Sequence, residues 1–372
     1  MTFRMKAFAF AAIVAAATLQ PARAYAAIPG ACTIGTLPSG AQSMICVPSS
    51  GWNGALVVLA HSYVAVTEPL TFADLSLPGG LSVPVVVQSL GYAFTTTTYR
   101  QNGLSILEGV DDIRELIAAF HDAHGVPTKT HQIGVSEGSL VTALLAEQSP
   151  TLLTSGLAMC GPIGSFQALI DYFGDFRVLF DYFFPGILIG SPHHIPPPLM
   201  ANWETQYVPA ITAAIVAHPG RALQLLRVAN APYDPADPST IVSTTHDILW
   251  RSIFATNDAI QKLGGNPYGN RGRWYSGSTD DVQLNRHVQR LVESPVARAA
   301  VRAYETSGDL TIPLVTLHTT GDDVIPFSQE VMYSLKLSPF GLTLFTPVQI
   351  ARYGHCNFTA AEILGAFALA AQ

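Results

Sequence analysis

The sequence predicts an α/β fold in which helices flank a mostly parallel sheet. Strand-like and helical segments alternate along much of the chain, and this alternation is typical of such sheets. A Gly-Val-Ser-Glu-Gly motif at 134–138 lies between a predicted strand and a predicted helix. A Pro-interrupted, aromatic segment at about 164–305 breaks the alternation, so we expect a helical insertion there.

The predicted sheet is built from short apolar or Thr-rich runs. These runs cover 56–60, 92–98, 130–135, 157–159, 312–317 and 346–351. Apolar residues at helical spacing, or apolar runs of helix length, predict the covering helices. These helices cover 110–124, 140–147 and 360–371. Because these strands and helices lie before 164 and after 305, we assign the core of the fold to 25–163 and 306–372.

Residues 164–305 form the predicted helical lid, inserted after the strand that follows the serine motif. Aromatic side chains recur there at three- and four-residue steps between 172 and 184, and three prolines follow at 196–198. Such a stripe more often packs a core than contacts a substrate. Both interpretations remain open from the sequence.

Composition narrows the class of protein. The chain has 372 residues, of which 49% are hydrophobic and 12% are charged. Charged residues make up about 25% of a typical globular chain, and disordered chains are richer still in charge. The composition therefore excludes a mainly disordered chain. The formal net charge is −7 and no basic run is present, so we predict no nucleic-acid partner.

The N-terminus has the pattern of a signal peptide. A basic start precedes an apolar run over 7–19, which is too short to span a bilayer. Ala-Arg-Ala at 22–24 fits a cleavage site, with 24–26 as a near alternative. We predict a signal peptide over 1–24 and a secreted protein, extracellular or periplasmic, without stable membrane insertion.

Four cysteines in an exported chain predict two disulfides, for which three pairings are possible. Cys32 and Cys46 flank a Pro-Ser-Gly turn between two predicted short strands, so Cys32–Cys46 is the simplest local pair. Cys160–Cys356 is then the second pair. The alternative for Cys160 and Cys356 is two free thiols.

Ser136 is the predicted nucleophile of the motif at 134–138. A nucleophile elbow places its serine on a sharp strand-to-helix turn with the hydroxyl exposed. Gly134 and Gly138 lack the Cβ atoms that would clash in such a turn. The alternative is an ordinary glycine-rich turn between a strand and a helix.

A serine nucleophile needs a base and an orienting carboxylate. Residues 319–326 follow a predicted strand and resemble the acid loop of the α/β-hydrolase superfamily. In the superfamily loop a proline follows the acid, and Pro326 lies four residues after Asp322. The resemblance therefore implies that Asp322 is the acid, with Asp323 as the alternative. His355 follows the last predicted strand, where the superfamily places its general base. The order Ser136, Asp322, His355 is the superfamily's order.

An acyl-transfer site also needs donors to the developing oxyanion. One predicted donor is the backbone N–H of Glu137, directly after the nucleophile. The segment Ala-His-Ser-Tyr at 60–63 resembles the His-Gly-x loop of esterases and lipases, with Ser62 at the usual glycine position. The resemblance implies the backbone N–H of Tyr63 as the second donor. The alternative is a strand end without a donor role.

The chain is similar to secreted α/β-hydrolases of the esterase and lipase kind over most of 37–162 and 310–372. The pair His355-Cys356 also resembles tannases and feruloyl esterases, in which a disulfide ties the serine and histidine neighbourhoods together. In that family the second cysteine directly precedes the serine. Val135 occupies that position here, so specificity for aromatic-acid esters is not carried over.

The resemblance implies a carboxylic-ester hydrolase that acts on a small-molecule or polymeric ester without a cofactor or metal. Glycerides, aryl esters and polyesters all fit. A serine peptidase or acyltransferase on the same fold is the alternative within enzymes, and a non-catalytic hydrolase-like binding protein is the alternative outside them. His193 and His194 lack a flanking carboxylate cluster, so we predict no metal there. His318, in the strand before the acid loop, is expected to be packed.

Overall fold

The computed structural model describes residues 29–372. The predicted signal peptide over 1–24 therefore lies outside the described residues and stays a prediction. None of the helices within 29–372 has both the length and the apolar character that crossing a membrane requires.

An eight-stranded sheet lies at the centre of the molecule, in the order β1-β2-β6-β3-β7-β8-β9-β10. Its strands are β1 (Cys32–Thr36), β2 (Gln42–Cys46), β3 (Ala55–Ala60), β6 (Ala93–Thr97), β7 (Lys129–Val135), β8 (Ser155–Met159), β9 (Leu314–Gly321) and β10 (Phe345–Tyr353). The strands from β6 to β10 in this order pair in parallel, whereas β1 and β2 are antiparallel additions at one edge. The predicted mostly parallel sheet is confirmed.

Helices cover both faces of this sheet. The helices of the core are α1 (Val83–Ser89), α2 (Ile106–His124), α3 (Glu137–Gln148), α11 (Ser328–Lys336), α12 (Pro339–Leu344) and α13 (Ala360–Ala370). Side chains alternate across a strand, so Leu56 and Val58 of β3 pack with α2 and α3. Val57 and Leu59 face the opposite way, into the cluster that contains α1 and α13.

A short hairpin and its following helix were not predicted from the sequence. The hairpin is formed by β4 (Ser76–Leu77) and β5 (Leu81–Ser82), and α1 follows it directly. Each strand has two residues, which is too short for an alternating pattern to appear. Pro84 lies in the first turn of α1, where its missing N–H costs no helical hydrogen bond.

The inserted segment, residues 164–305, contributes no strand to the eight-stranded sheet of the described chain. Its α-helices are α4 (Phe166–Phe183), α5 (Pro197–Ala201), α6 (Val208–Ala217), α7 (Pro219–Ala229), α8 (Thr240–Leu263), α9 (Asp281–His287) and α10 (Pro295–Ala300). Most buried apolar side chains of these helices form a cluster of their own. Others pack with a cluster of the sheet, namely Phe166, Leu169, Leu263 and Ala297. That this segment acts as a lid stays a prediction.

The aromatic stripe of α4 divides between the two roles considered from the sequence. Phe176, Phe180 and Phe183 are buried in the cluster of the inserted segment. Phe173 instead lines the cavity beside Ser136. Position along the helix, and not aromatic character, separates the packing residues from the residue that faces the cavity.

Both predicted disulfides are present. Cys32 and Cys46 lie directly opposite each other in the β1–β2 ladder, with Cα atoms 4.2 Å apart. Cys160 follows β8 and Cys356 follows β10, and their Cα atoms are 5.3 Å apart. The second bridge therefore joins two loops at the end of the sheet where the candidate site lies.

Candidate active site

The sheet order brings the predicted site residues to one edge. Ser136 follows β7, Asp322 follows β9 and His355 lies two residues beyond β10. Strands β7, β8, β9 and β10 are consecutive neighbours and run parallel. Their carboxyl ends therefore meet, and open α/β sheets bind ligands at such ends.

Ser136 occupies a strained turn between β7 and α3. Its φ is 52° and its ψ is −114°, outside the conformations that side-chain-bearing residues usually adopt. A Cβ on Gly134 would collide with the carbonyl oxygen of Gly138, and one on Gly138 would collide with that of Ala60. Glycine at both positions therefore lets β7, α3 and the end of β3 approach closely around the serine.

The side chains of Ser136, His355 and Asp322 form one hydrogen-bonded chain. The Nε2 of His355 lies 2.9 Å from the Oγ of Ser136. The Nδ1 of His355 lies 3.0 Å from Oδ1 and 2.9 Å from Oδ2 of Asp322. This arrangement can move a proton from the serine hydroxyl to the imidazole while the carboxylate stabilises the imidazolium.

The carboxylate of Asp322 is buried and held by its own loop. Its Oδ1 accepts the backbone N–H groups of Val324 and Ile325, at 3.0 and 2.8 Å. Burial alone would raise the pKa of Asp322, but His355 and His318 outweigh burial and lower this pKa well below its usual range. Asp322 is therefore ionised across the neutral pH range.

Asp323 faces a different part of the molecule. Its Oδ2 accepts the hydroxyl of Tyr353 at 3.3 Å, and its backbone carbonyl accepts the hydroxyl of Tyr172 at 2.7 Å. Burial, with Asp247 and Asp322 nearby, raises the pKa of Asp323 to about 6. The structure thus brings Asp322, and not Asp323, to His355.

The loop that carries His355 is fixed to the end of β9 and to the loop that follows β8. The N–H of Gly354 donates to the carbonyl of Gly321 at 3.0 Å, and the hydroxyl of Thr319 donates to the carbonyl of Gly354 at 2.7 Å. The disulfide from Cys356 to Cys160 adds a covalent link. His355 is therefore restrained on both sides in sequence.

The predicted oxyanion donors border the serine. Tyr63, Ser136 and Glu137 line the same cavity. The ring of His61 stacks on Tyr99 with centroids 3.9 Å apart, and its Nδ1 lies 2.7 Å from the carbonyl oxygen of Ser62. Burial lowers the pKa of His61, so the ring is neutral and its packing fixes the chain entering Tyr63.

Glu137 contributes more than the backbone N–H expected from the sequence. It begins α3, so its N–H belongs to a first turn that has no acceptor inside the helix. Its side chain is buried, with Oε1 accepting the N–H of Ser105 at 3.0 Å. Burial raises the pKa of this carboxyl to about 8. Nothing in the sequence motif indicated a protonated carboxyl beside the nucleophile.

A cavity of about 390 Å³ opens onto Ser136 and His355. The core supplies Ser136 and His355, while the inserted segment supplies apolar walls that include Phe173, Trp250 and Tyr268. Among the described residues that line this cavity, Arg251 alone carries a permanent positive charge. The cavity therefore combines an apolar body with one fixed cation.

Metal binding has little support within 29–372. Cys160, His355 and Cys356 place possible ligand atoms close together. The two sulfur atoms are bonded to each other, so they do not provide the thiolates that bind metals. His193 and His194 are exposed, and they lie in a short turn between Ser191 and Ile195.

Comparisons with known proteins identify one relative in sequence and several similar structures. No protein-family model matches the chain. The chain is 22% identical to o-phthalyl amidase from Xanthobacter agilis over 400 residues, covering 88% of this chain and 84% of the amidase. Feruloyl esterase B from Aspergillus oryzae superposes with a TM-score of 0.54 at 14% identity, covering 88% of this chain and 73% of the esterase. The 2-hydroxy-6-oxo-6-phenylhexa-2,4-dienoate hydrolase from Rhodococcus gives a TM-score of 0.42 at 15% identity, covering 91% of this chain and 98% of the hydrolase.

Proposed function

Because the chain has the α/β-hydrolase fold, we propose that it is a secreted serine hydrolase that cleaves carboxylic esters through an acyl-enzyme. The observation that carries this proposal is the chain of hydrogen bonds from Ser136 through His355 to Asp322. A binding protein without catalysis would not need all three groups at hydrogen-bond distance. The two disulfides support export, since such bonds persist in oxidising compartments.

The reaction begins when Oγ of Ser136 attacks the substrate carbonyl carbon and its proton passes to Nε2 of His355. The new oxyanion receives hydrogen bonds from the backbone N–H groups of Glu137 and Tyr63. His355 then gives its proton to the leaving alcohol, which departs as the carbonyl bond re-forms. Water attacks the acyl-enzyme by the same steps, with His355 again the base, and releases the acid.

The walls of the cavity favour an aromatic or other apolar acyl group. The volume of about 390 Å³ lies within the range of small-molecule sites. Phe173, Trp250 and Tyr268 provide flat apolar surfaces there. Arg251 lies over the ring of Trp250 at 5.3 Å, and its Nη1 donates to the backbone carbonyl of Asp247 at 3.2 Å and lies 3.4 Å from Oδ1 of Asp247. Its remaining guanidinium N–H groups can pair with a carboxylate on the acyl group.

Amide hydrolysis is a second candidate, favoured by the relative named o-phthalyl amidase. The same residues serve both reactions, because His355 can protonate either a leaving alcohol or a leaving amine. The amide reaction demands more of this proton transfer, since an amine leaves poorly unless it is protonated.

A matched substrate pair separates the two candidates. We expect wild type to hydrolyse phenyl benzoate and to leave benzanilide, which has the same acyl group, uncleaved, whereas an amidase would cleave both. Ser136→Ala should lower ester turnover by about 10⁶, as removal of such a nucleophile does elsewhere. Ser334→Ala, in an exposed part of α11, is the control. Equal turnover by wild type and Ser136→Ala would contradict the proposal.

A further inference from the structure

We propose that His318 and Glu330 form a buried, overall neutral pair that positions the carboxylate of Asp322. The inference rests on the proposed role of Asp322 and extends the hydrogen-bonded chain by two residues. From the sequence, His318 was expected only to be packed. The contacts of both ring nitrogens argue for more than packing.

His318 lies in β9, fully buried, four residues before Asp322. Its Nε2 lies 2.9 Å from the carbonyl oxygen of Ile325 and 3.3 Å from Oδ2 of Asp322. Its Nδ1 lies 3.0 Å from Oε1 of Glu330 on α11. The other carboxyl oxygen of Glu330 lies 2.6 Å from the hydroxyl of Thr316. Asp322 therefore lies within 3.3 Å of a ring nitrogen of two histidines, His355 and His318.

Counting protons fixes the charge of the pair. The carbonyl oxygen of Ile325 can only accept, so Nε2 of His318 must carry a proton. The Nδ1 of His318 and Oε1 of Glu330 are 3.0 Å apart, so one proton must lie between them. With that proton on Nδ1 the pair is imidazolium and carboxylate, and with it on Oε1 both groups are neutral. The net charge of the pair is zero in either case.

The surroundings favour the imidazolium form. Burial lowers the pKa of His318, but hydrogen bonds to Asp322 and Glu330 outweigh burial and raise this pKa to about 10. From β10, the residue paired with His318 is the uncharged Gln349. On the loop, the edge of the Phe327 ring packs against His318 with centroids 5.7 Å apart.

Two consequences follow for Asp322. The Nε2–H of His318 donates to the carbonyl of Ile325, and the charged ring attracts Oδ2 of Asp322 at 3.3 Å, while the backbone N–H groups of Val324 and Ile325 donate to Oδ1. The neutral pair also adds no net charge beside the carboxylate of Asp322. Removing the histidine alone would leave Glu330 as a second buried carboxylate and so favour the protonated form of His355, which cannot act as a base.

The test compares His318→Gln, Glu330→Gln and the double variant by the pH dependence of kcat/KM for a phenyl ester. His318→Gln should lower kcat/KM at least tenfold and move the acid limb upward by about one pH unit. The double variant again carries a neutral pair, so its acid limb should return to the wild-type midpoint. Glu330→Gln keeps a neutral pair and should show no upward shift.

A merely structural role for His318 predicts a different outcome. The double variant would then be at least as impaired as the single one, and neither would shift the limb. That result would overturn the proposal. If His318→Gln fails to fold, ¹⁵N NMR of wild type supplies the test, because the proposal requires a bound proton on Nε2 of His318. Detection of an unprotonated Nε2 at neutral pH would overturn it. Failure of the proposed function would appear separately, as unchanged ester turnover in Ser136→Ala.

Discussion

The sheet core and the inserted segment contribute different things to the site. The core supplies the groups proposed to react, Ser136, Asp322 and His355, each from a loop that directly follows a parallel strand. The inserted segment supplies most of the apolar wall and, among the lining residues within 29–372, the permanent cation Arg251. Core residues are held by backbone hydrogen bonds and a disulfide, whereas the wall is built from side chains on helices. We infer that the core determines the chemistry and the inserted segment determines the substrate.

The two regions also meet through a few polar contacts. The hydroxyl of Tyr353, at the end of β10, lies 2.7 Å from that of Thr244 on α8. The carboxylate of Asp258 on α8 accepts the N–H of Leu104 at 2.7 Å. These contacts hold the wall of the cavity next to the groups proposed to react. Because the two regions contribute different groups to the site, substitutions in each region should affect different kinetic constants.

The largest effect in the core is expected at the acid. Asp322→Asn should lower kcat about 10⁴-fold with every substrate, because an amide supports neither the required tautomer nor the imidazolium. Asp323→Asn is the matched control and should cost far less, since Asp323 contacts Tyr353 and not His355. Steady-state kinetics on one ester measures both. The reverse ranking would show that Asp323 is the acid.

A smaller effect is expected from the disulfide beside His355. Replacing both Cys160 and Cys356 by Ser removes a link across 196 residues, which the chain-entropy model values at about 5 kcal/mol. The variant should lose activity at a lower temperature than its sheet melts, because the histidine loop loosens first. Parallel activity and circular-dichroism melts measure this separation.

The control for that variant replaces Cys32 and Cys46, whose bridge spans 14 residues at the far edge of the sheet. This pair is worth about 3 kcal/mol in the same model, and its activity and sheet should be lost together. If the Cys160–Cys356 variant behaves in the same way, the bridge stabilises the whole core and not the site.

The inserted segment should change selectivity without changing the chemistry. Arg251→Gln should raise KM about fivefold for an aryl ester whose acyl group carries a carboxylate, since one partly exposed charge pair is worth roughly 1 kcal/mol. The ratio of kcat/KM between this ester and its uncharged analogue is the measurement. An unchanged ratio would remove Arg251 from substrate recognition.

The smallest effect concerns the pH dependence of stability at Glu137. Burial raises the pKa of this carboxyl from about 4.5 to about 8, so between these values the folded state binds a proton that the unfolded state lacks. Stability from this group therefore falls as pH rises through that window. Glu137→Gln removes the proton linkage, so its Tm relative to wild type should rise between pH 5 and pH 8.

The control for this comparison is Glu204→Gln, which removes an exposed carboxylate from the inserted segment. Its Tm difference from wild type should stay constant over the same pH range. A constant difference for Glu137→Gln as well would show that Glu137 is ionised in the folded protein.

The sequence was sufficient for the parts of the site that depend on local pattern. The strand, the Gly-x-Ser-x-Gly turn and the helix at Ser136 are contiguous in sequence. The loops of Asp322 and His355 are likewise each contiguous with the strand that precedes them. The pair of His318 and Glu330 was missed because its partners come from a strand, a loop and a helix that only the fold brings together. The raised pKa of Glu137 was missed for a related reason, since burial is not a property of the motif.

The inserted segment was harder to predict for a physical reason. Its helices pack against one another around their own apolar cluster, so periodicity predicts helices but not their arrangement. Phe173 and Phe176 are both aromatic and three residues apart on α4, yet one faces the cavity and the other is buried in the cluster. The residues proposed to select the substrate therefore emerge only from the folded arrangement.

The central claim is that the core carries out covalent catalysis at Ser136, and labelling tests it most directly. Wild type is treated with a fluorophosphonate, which captures an activated serine, and the modified peptide is identified by mass spectrometry. We predict one adduct, on Ser136, with labelling slowed by orders of magnitude in His355→Ala and unaffected in Ser334→Ala. Labelling at another residue, or ester hydrolysis that persists after complete labelling of Ser136, would contradict the account.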